Sequence, residues 1–158
     1  MVGFGYDLHR LVEGESLILG GVEIESPIGT LAHSDGDVLL HAIIDAILGS
    51  IGEGDIGEHF PDTESANKNL DSKVMLGYTL DLLKAKGFEL VNSDNTIVLE
   101  KPKLSPLKEE IRSSVAKLLG LQNNRVNIKA TTNEKQDSMG KSESIVVYSI
   151  CQVKEITN

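Results

Sequence analysis

The chain has 158 residues, of which 40% are hydrophobic and 25% charged, and its net charge is -9. This composition is typical of one globular domain, which we expect to span residues 1–158. No apolar run approaches the ~20 residues needed to cross a bilayer, so a membrane protein is excluded. The acidic charge, without a cluster of lysine or arginine, disfavours nucleic acid and anionic membrane surfaces as partners. The single Cys151 cannot form an intrachain disulfide, and we interpret it as a structural residue of a strand.

Residues 1–4 lead directly into a predicted strand. They contain no charged, apolar or arginine-rich targeting segment. We therefore expect a cytoplasmic protein, or alternatively a plastid protein in a processed form.

Two ionisable side chains share one face of the first predicted strand, Val2 to Arg10. Alternate residues of a strand point to the same side, so Asp7 and His9 can converge on one ion. A compact hairpin is predicted next, because Gly20-Gly21 separates two short alternating runs. Residues 26–36 are then predicted to form a loop.

Residues 37–50 are predicted to form a buried helix, with Ser34 or Asp35 as its N-cap. Three of the four rows along this helix are apolar throughout. The remaining row is polar: Asp37, His41 and Asp45. An ionisable row on a buried helix needs an internal partner, and a bound cation is one such partner. Asp45 has two open interpretations, either an acceptor that supports His41 or a solvated acid.

Asp7, His9 and His41 form a candidate set of metal ligands. Two imidazole nitrogens and one carboxylate oxygen, with a fourth position free, match a catalytic zinc site better than a magnesium or calcium site. The residues alone leave a second interpretation open, in which these histidines are ordinary hydrogen-bonded core side chains.

Residues 50–69 are rich in Gly, Asp, Asn and Pro, and they form a loop too long for a plain connection, which makes it a candidate functional loop. The pattern beyond it predicts these elements: helix 71–86, strand 95–100, loop 101–105, a helix capped by Ser105 and ending at Leu119, strand 126–131, polar loop 132–142 and strand 143–153. The expected fold is α+β, with a mixed four-stranded sheet, a small hairpin and helices on one face. The last strands are rich in Val and Ile, so we expect the open sheet face to be covered by oligomerisation.

Five motifs follow one another along the chain: G-x-G-x-D-x-H from Gly3, H-S-D-G-D-x-x-x-H from His33, G-D-I-G from Gly54, F-P-D-T from Phe60 and K-A-T-T-x-E from Lys129. In this order they closely resemble the 2-C-methyl-D-erythritol 2,4-cyclodiphosphate synthase family of the non-mevalonate isoprenoid pathway. The resemblance covers residues 3–134 and continues more weakly to about residue 150. It implies a homotrimer of α+β subunits with active sites between adjacent subunits. It also implies conversion of 4-diphosphocytidyl-2-C-methyl-D-erythritol 2-phosphate to the 2,4-cyclodiphosphate, with release of CMP.

The resemblance assigns two metal sites. It implies that Asp7, His9 and His41 hold one Zn²⁺ per subunit, whose fourth ligand is a phosphate oxygen of the substrate. It further implies that Glu134 meets a second divalent ion, Mg²⁺ or Mn²⁺, at the substrate diphosphate.

The resemblance also assigns the groups around the substrate. It implies that His33 and Thr132 stabilise the transferring phosphoryl group. It implies substrate contacts for these residues: Ser34, Asp55, Ile56, Gly57, Phe60, Pro61, Asp62, Thr63, Glu64, Leu99, Glu100, Lys101, Pro102, Lys103, Leu104, Ser105, Ala130, Thr131, Ser138 and Lys141. Taken alone, Asp55 is more typical of a turn, and Pro102 and Pro106 favour a simple turn as well.

The chain departs from the family pattern after Glu134. Where the family often has an aromatic residue followed by G-R-G-E-G, residues 138–144 read S-M-G-K-S-E-S. Lys141 supplies the charge of an arginine without its bidentate fork. Two other functions are therefore kept as alternatives: a zinc-dependent phosphohydrolase, and a trimer that binds the nucleotide without catalysis.

Overall fold

A computed structural model describes residues 1–61, 63–64, 67 and 69–157. The strands in the described residues are β1 (Val2–Glu13), β2 (Leu17–Leu19), β3 (Val22–Ile24), β4 (Ile28–Leu31), β5 (Phe88–Val98), β6 (Val126–Thr131) and β7 (Ser144–Glu155). The α-helices are α1 (Val38–Ile51), α2 (Ile56–His59), α3 (Ser72–Ala85), α4 (Lys108–Leu119) and α5 (Asp137–Gly140).

The main sheet is mixed and has five strands in the order β4-β1-β7-β5-β6, while β2 and β3 form the predicted hairpin. The prediction of four strands was wrong, because the predicted loop 26–36 contains β4, which pairs with the end of β1. Gly29 lies buried within β4 and removes the alternating pattern by which a strand is recognised. Strand β5 also begins earlier than predicted, at Phe88. Its first half pairs along β7, although the polar run Asn92 to Asn95 interrupts the apolar pattern.

Helix α1 is buried as predicted and lies directly against β1. Gly3 and Gly5 make this close approach possible. A Cβ atom built on Gly3 would lie 1.8 Å from the carbonyl oxygen of Ala46, and one on Gly5 would lie 1.9 Å from that of Ala42. The glycines of the G-x-G motif therefore set the distance between the strand that carries Asp7 and the helix beside it.

The N-cap of α1 is Asp37, so the predicted caps Ser34 and Asp35 were wrong. The N–H of Leu40 donates to Asp37 Oδ1 at 3.1 Å. The same carboxylate also accepts from the hairpin turn, at 2.9 Å from Gly20 N–H and 2.6 Å from Gly21 N–H. Burial raises the pKa of Asp37 to about 6 although these three donors act against the shift.

Of two further helices, α3 begins where the sequence predicts and α4 does not. Helix α3 begins as predicted after Asp71, whose side chain accepts from Lys73 N–H at 2.8 Å. The Ser105 cap of α4 was wrong, because a turn closed by Leu107 N–H and the Leu104 carbonyl precedes the helix and delays its start to Lys108.

The sheet face opposite α1 is apolar and exposed in the single chain. Side chains of β1 and β7 that point to this face keep between 40% and 66% of their surface exposed: Val2, Phe4, Tyr6, Leu8, Tyr148 and Ile150. Phe4 and Tyr6 both lie beside Tyr148, with ring centroids 6.3 and 5.5 Å from it. Cys151, on the other face of β7, is fully buried as predicted. None of the helices in the described ranges is long and apolar enough to span a membrane.

Candidate active site

The three predicted zinc ligands converge in the structure. Asp7 and His9 lie on the same side of β1, and His41 faces them from the first turns of α1. The Nδ1 atoms of His9 and His41 each lie 3.1 Å from Asp7 Oδ2. One possible ligand atom from each of the three residues lies within 4.8 Å of the others, which makes this a group that could hold a metal ion.

The spacing and chemistry of these three atoms fit a tetrahedral cation. Two ligands bound at about 2.0 Å with tetrahedral angles are about 3.3 Å apart, close to the separations found here. His9 Nδ1 is buried and has no hydrogen-bond partner, although Asp7 lies beside it. An unpartnered buried nitrogen is costly, and a metal ion would satisfy it. The alternative of ordinary hydrogen-bonded core histidines does not account for this nitrogen.

The charges of the set also favour a cation. Burial acts to raise the pKa of Asp7, but the hydrogen bond with His41 and the close contact with His9 lower it to about 2. Burial acts to lower the pKa of His41, but the hydrogen bond and charge of Asp7 raise it above its usual value. Asp7 is therefore ionised at neutral pH, which is the form in which a carboxylate binds a metal ion.

A cavity of ≈ 360 Å³ opens beside the ligands. Its walls include both predicted histidine ligands and five other predicted site residues: His33, Ser34, Ile56, Gly57 and Phe60. Sequence motifs that are far apart in the chain thus meet at one cavity.

Asp45 positions the G-D-I-G motif, Gly54 to Gly57. Its Oδ1 accepts a hydrogen bond from Ile56 N–H at 2.8 Å, which ties the start of α2 to α1. The sequence left two interpretations of Asp45 open. Among the described residues no hydrogen bond joins it to His41, and its half-buried carboxylate accepts from the backbone of the loop. Burial raises its pKa. Asp55 is the N-cap of α2 and accepts from Glu58 N–H at 3.1 Å, so its side chain has a structural partner within the loop.

The predicted substrate residues that follow Phe60 lie outside the wall of the cavity where the structure describes them. Pro61 is half-buried, and its carbonyl accepts from Asn67 Nδ2 at 2.9 Å. Thr63 and Glu64 are exposed, and none of these three predicted residues lines the cavity. Asp62 lies outside the described residues.

The predicted cytidine residues form a second cavity of ≈ 180 Å³, on a different part of the chain. Its walls are Leu99, Glu100, Lys103, Leu104, Ser105, Ala130, Thr131 and Thr132. Lys101 and Pro102 line a neighbouring groove of ≈ 580 Å³, which shares Thr132 and Lys103 with it. His33 and Thr132, predicted to act on the same phosphoryl group, therefore lie in separate cavities of the single chain.

The last three predicted residues along the chain also line neither cavity. Glu134 has a positive φ of 51° and accepts from Thr132 Oγ1 at 3.2 Å. Ser138 lies in α5, and its Oγ is 2.7 Å from Ser144 Oγ. Lys141 is exposed at the end of α5. The short helix α5 was not predicted, because its four residues are too few to show a helical period.

Sequence reasoning missed several residues of the first cavity. Arg10, Asn67 and Met75 line it, and Ser72 lies 2.8 Å from His41 Nε2. Met75 belongs to the apolar pattern of α3, which identifies core residues without showing which of them reach a cavity. Arg10 follows His9 on the strand, so alternation alone places it on the opposite face from the ligands.

Comparisons with known proteins agree with the motifs. The model of the YgbB family matches residues 1–154. The 2-C-methyl-D-erythritol 2,4-cyclodiphosphate synthase of Chlorobaculum tepidum is 48% identical over 97% of this chain and 98% of its own length. The solved bifunctional IspDF of Campylobacter jejuni superposes with a TM-score of 0.94 at 42% identity, over 98% of this chain and 42% of that one. A solved 2C-methyl-D-erythritol-2,4-cyclodiphosphate synthase, described as a bound form with CDP, gives 0.91 at 35% identity, over 98% and 100% of the two chains.

The α+β scaffold and the converging ligands beside a cavity define an enzyme domain with a candidate metal centre. The match to the family extends over almost the whole chain. The chain belongs to the YgbB family, the family of 2-C-methyl-D-erythritol 2,4-cyclodiphosphate synthase, and the resemblance stated from the motifs is confirmed.

Proposed function

We propose that this chain converts 4-diphosphocytidyl-2-C-methyl-D-erythritol 2-phosphate to 2-C-methyl-D-erythritol 2,4-cyclodiphosphate and CMP, as a lyase of the non-mevalonate pathway of isoprenoid precursors. The observation that carries the proposal is the convergence of Asp7, His9 and His41 at the wall of the cavity that also contains His33 and Ser34. Curated relatives that match nearly the full chain carry the name of this synthase.

The reaction is an internal phosphoryl transfer. An oxygen of the 2-phosphate attacks the distal phosphorus of the diphosphate, a new P–O–P linkage forms, and the bond from that phosphorus to the bridging oxygen breaks. The electron pair of the broken bond leaves with CMP. Both reacting groups belong to the substrate, so the protein needs no nucleophile, and its work is alignment and neutralisation of charge.

Asp7, His9 and His41 would hold a zinc ion, because two imidazoles and one carboxylate are a typical catalytic zinc set. When bound, zinc supplies a Lewis acid and a template for one phosphate oxygen. Glu134 would contact a Mg²⁺ or Mn²⁺ ion at the diphosphate, since its carboxylate is exposed and a hard oxygen ligand suits these ions.

The first cavity would hold the reacting phosphates and the methylerythritol. His33 lies at its wall as a hydrogen-bonding group for the transferring phosphoryl group, and Ser34 offers a hydroxyl donor. Ile56 and Gly57 present the start of α2 to the sugar alcohol, with Asp55 at its cap. Phe60 lies at the cavity wall, and Pro61, Asp62, Thr63 and Glu64 would contact the substrate as well.

The second cavity would hold the cytidine. The walls formed by residues 99–105 and 130–132 offer backbone groups for a base and Lys103 for a phosphate, and Thr132 would act on the transferring group from this side. A solved relative is described as a CDP-bound form, which supports a cytidine nucleotide as the ligand. Ser138 and Lys141 would contact the phosphates from α5.

We further propose that the enzyme is a homotrimer whose active sites lie between adjacent subunits. Two features of the chain support an assembly. His33 and Thr132 lie in separate cavities, so one chain does not bring them to a common phosphorus atom. The exposed apolar face of β1 and β7 is the kind of surface that is buried against other subunits. A cytoplasmic location is proposed as well.

The test follows the purified protein with the cytidyl substrate by phosphorus NMR in ¹⁸O-labelled water. We expect the cyclic diphosphate and CMP without incorporation of ¹⁸O. Open-chain phosphates carrying ¹⁸O would indicate a hydrolase, and binding of CMP without turnover would indicate a protein that only binds the nucleotide. Either result would refute the proposal.

A matched pair of variants ties the activity to the ligand set. Asp7→Asn removes one ligand charge, and we expect it to abolish zinc binding and turnover. Asp81→Asn makes the same change at an exposed position of α3 and should retain both. Equal activity of the two variants would contradict the assignment of Asp7.

A further inference from the structure

A chain of hydrogen bonds runs from His41 away from the candidate metal centre. His41 Nε2 lies 2.8 Å from Ser72 Oγ, and Ser72 is fully buried. The hydroxyl of Ser72 donates in turn to Asp35 Oδ1, and the N–H of Ser72 donates to Asp35 Oδ2 at 3.0 Å. Asp37 N–H also donates to Asp35 Oδ1, at 3.2 Å. Asp35 is thus held in place by three donors.

The donors and acceptors in this series of hydrogen bonds determine the tautomer of His41. A carboxylate has only acceptor oxygens, so the hydroxyl hydrogen of Ser72 must point to Asp35. Toward His41, Ser72 Oγ can then act only as a hydrogen-bond acceptor. His41 must therefore carry its proton on Nε2, which leaves the lone pair of Nδ1 free on the side where Nδ1 lies 3.1 Å from Asp7 Oδ2.

We propose that Ser72 and Asp35 are positioning residues of the metal centre. They fix both the rotation of the His41 ring and its Nε2–H tautomer, so that Nδ1 is ready to bind the metal ion. Partners of this kind are commonly needed for full metal affinity, because a histidine ligand without one rotates and changes tautomer. The inference rests on the proposed metal site and extends it to two residues that do not touch the metal.

Ser34 is the competing partner of His41. Its Oγ lies 3.2 Å from Nε2, and it already accepts from Gly36 N–H at 3.2 Å. Ser34 lines the cavity, so its hydroxyl is available to a substrate, whereas Ser72 is enclosed between α1 and Asp35. The shorter and fully buried contact assigns the positioning role to Ser72.

The experiment measures zinc affinity by competition with a chromogenic chelator. We expect Ser72→Ala to weaken zinc binding roughly 10- to 100-fold. Asp35→Asn keeps the shape of the side chain but replaces one acceptor oxygen with a donor, and it should weaken binding in the same direction. Ser50→Ala is the matched control, because Ser50 is also buried, lies on α1 and donates only to the carbonyl of Ile47, at 2.7 Å. It should change zinc affinity less than twofold.

Two spectroscopic readouts separate positioning from general stability. The visible spectrum of the Co²⁺-loaded protein should change in Ser72→Ala and stay the same in Ser50→Ala, because only the first frees the imidazole. In zinc-loaded wild-type protein, ¹⁵N NMR of His41 should show a protonated Nε2 and a metal-bound Nδ1. This second measurement needs no variant, so it decides the question even if Ser72→Ala fails to fold.

The outcomes also separate this inference from the proposed metal site. Wild-type protein that binds no zinc would refute the metal site itself. Wild-type protein that binds zinc, with unchanged affinity in Ser72→Ala or with His41 bound through Nε2, would leave the metal site intact and refute the positioning role.

Discussion

Gly5→Ala is the substitution that tests most directly how the fold builds the metal centre. Gly5 is buried on β1, two residues before Asp7, and faces the backbone of α1. A Cβ atom at this position would lie 1.9 Å from the carbonyl oxygen of Ala42 and 2.8 Å from Ala46 N. Both are backbone atoms, which cannot move away by changing a rotamer. The helix as a whole must therefore withdraw or the strand must bend.

The size of the effect follows from these distances. Ordinary contact requires about 3.4 Å, so α1 must withdraw by about 1.5 Å in an interior without free space. Overpacking of this kind costs about 3 kcal/mol, which for a domain of this size lowers Tm by roughly 6–12 °C. His41 is carried on the same helix and would move away from Asp7 and His9, while metal sites tolerate only about 0.2 Å in their ligand distances. Zinc affinity should therefore fall together with stability.

Thermal unfolding in chelator measures the first effect, and zinc competition measures the second. Gly49→Ala is the matched control, since it lies on α1 and an added Cβ would meet only the carbonyl of Phe4, at 3.9 Å. It should raise stability by about 0.5–1 kcal/mol, as alanine does in a helix interior, without affecting zinc. A Gly5→Ala protein that melts within about 2 °C of wild type, which corresponds to a cost of at most about 1 kcal/mol, and that binds zinc normally would refute the argument from close approach.

Three further predictions concern other contacts of the fold. Asp45→Ala removes the acceptor of Ile56 N–H, so we expect kcat/KM to fall about tenfold while zinc affinity is unchanged; unaltered kcat/KM would contradict the anchoring role. Asp37→Asn replaces one acceptor oxygen with a donor and should cost about 1–3 kcal/mol in urea unfolding, since the N–H of Gly21 loses its partner. The folded pKa of Asp37, about 6, lies above its ordinary 3.8, so its contribution to stability falls as pH rises between these values, and the variant should lose that part of the pH dependence measured for wild type. Cys151 is buried with its pKa raised to about 11, so it should not react with a thiol reagent in native protein and should react fully in denaturant; rapid native labelling would disprove this.

Local patterns were sufficient to predict the elements whose residues alternate regularly. The shared face of Asp7 and His9 follows from the period of two in a strand, and the buried helix α1 follows from its apolar rows. The pattern failed for β4, where Gly29 interrupts the alternation, and for the first half of β5, which the polar run Asn92 to Asn95 separates from the predicted strand. Both segments are strands because neighbouring strands supply their hydrogen bonds, and that information is not local.

The site was predicted where chemistry and spacing are sufficient. Ligand-type residues on a strand face and on the polar row of a buried helix identify the metal set, and the ordered motifs identify the family. The N-cap of α1 was predicted wrongly because a loop containing Ser34, Asp35 and Asp37 offers three similar caps. The hairpin turn, which donates two N–H groups to Asp37, decides among them.

The sequence by itself determined which groups can bind a cation and which side of each element they occupy, because those properties depend on residue type and on backbone period. Only the tertiary structure decided that Gly3 and Gly5 serve close approach rather than flexibility, and that Ser72 is the partner of His41. Ser72 lies 31 residues from His41 and 37 from Asp35, so their hydrogen bonds depend on how α3 packs beside α1. Distances of that kind are set by the packing of the whole domain, which no local pattern contains.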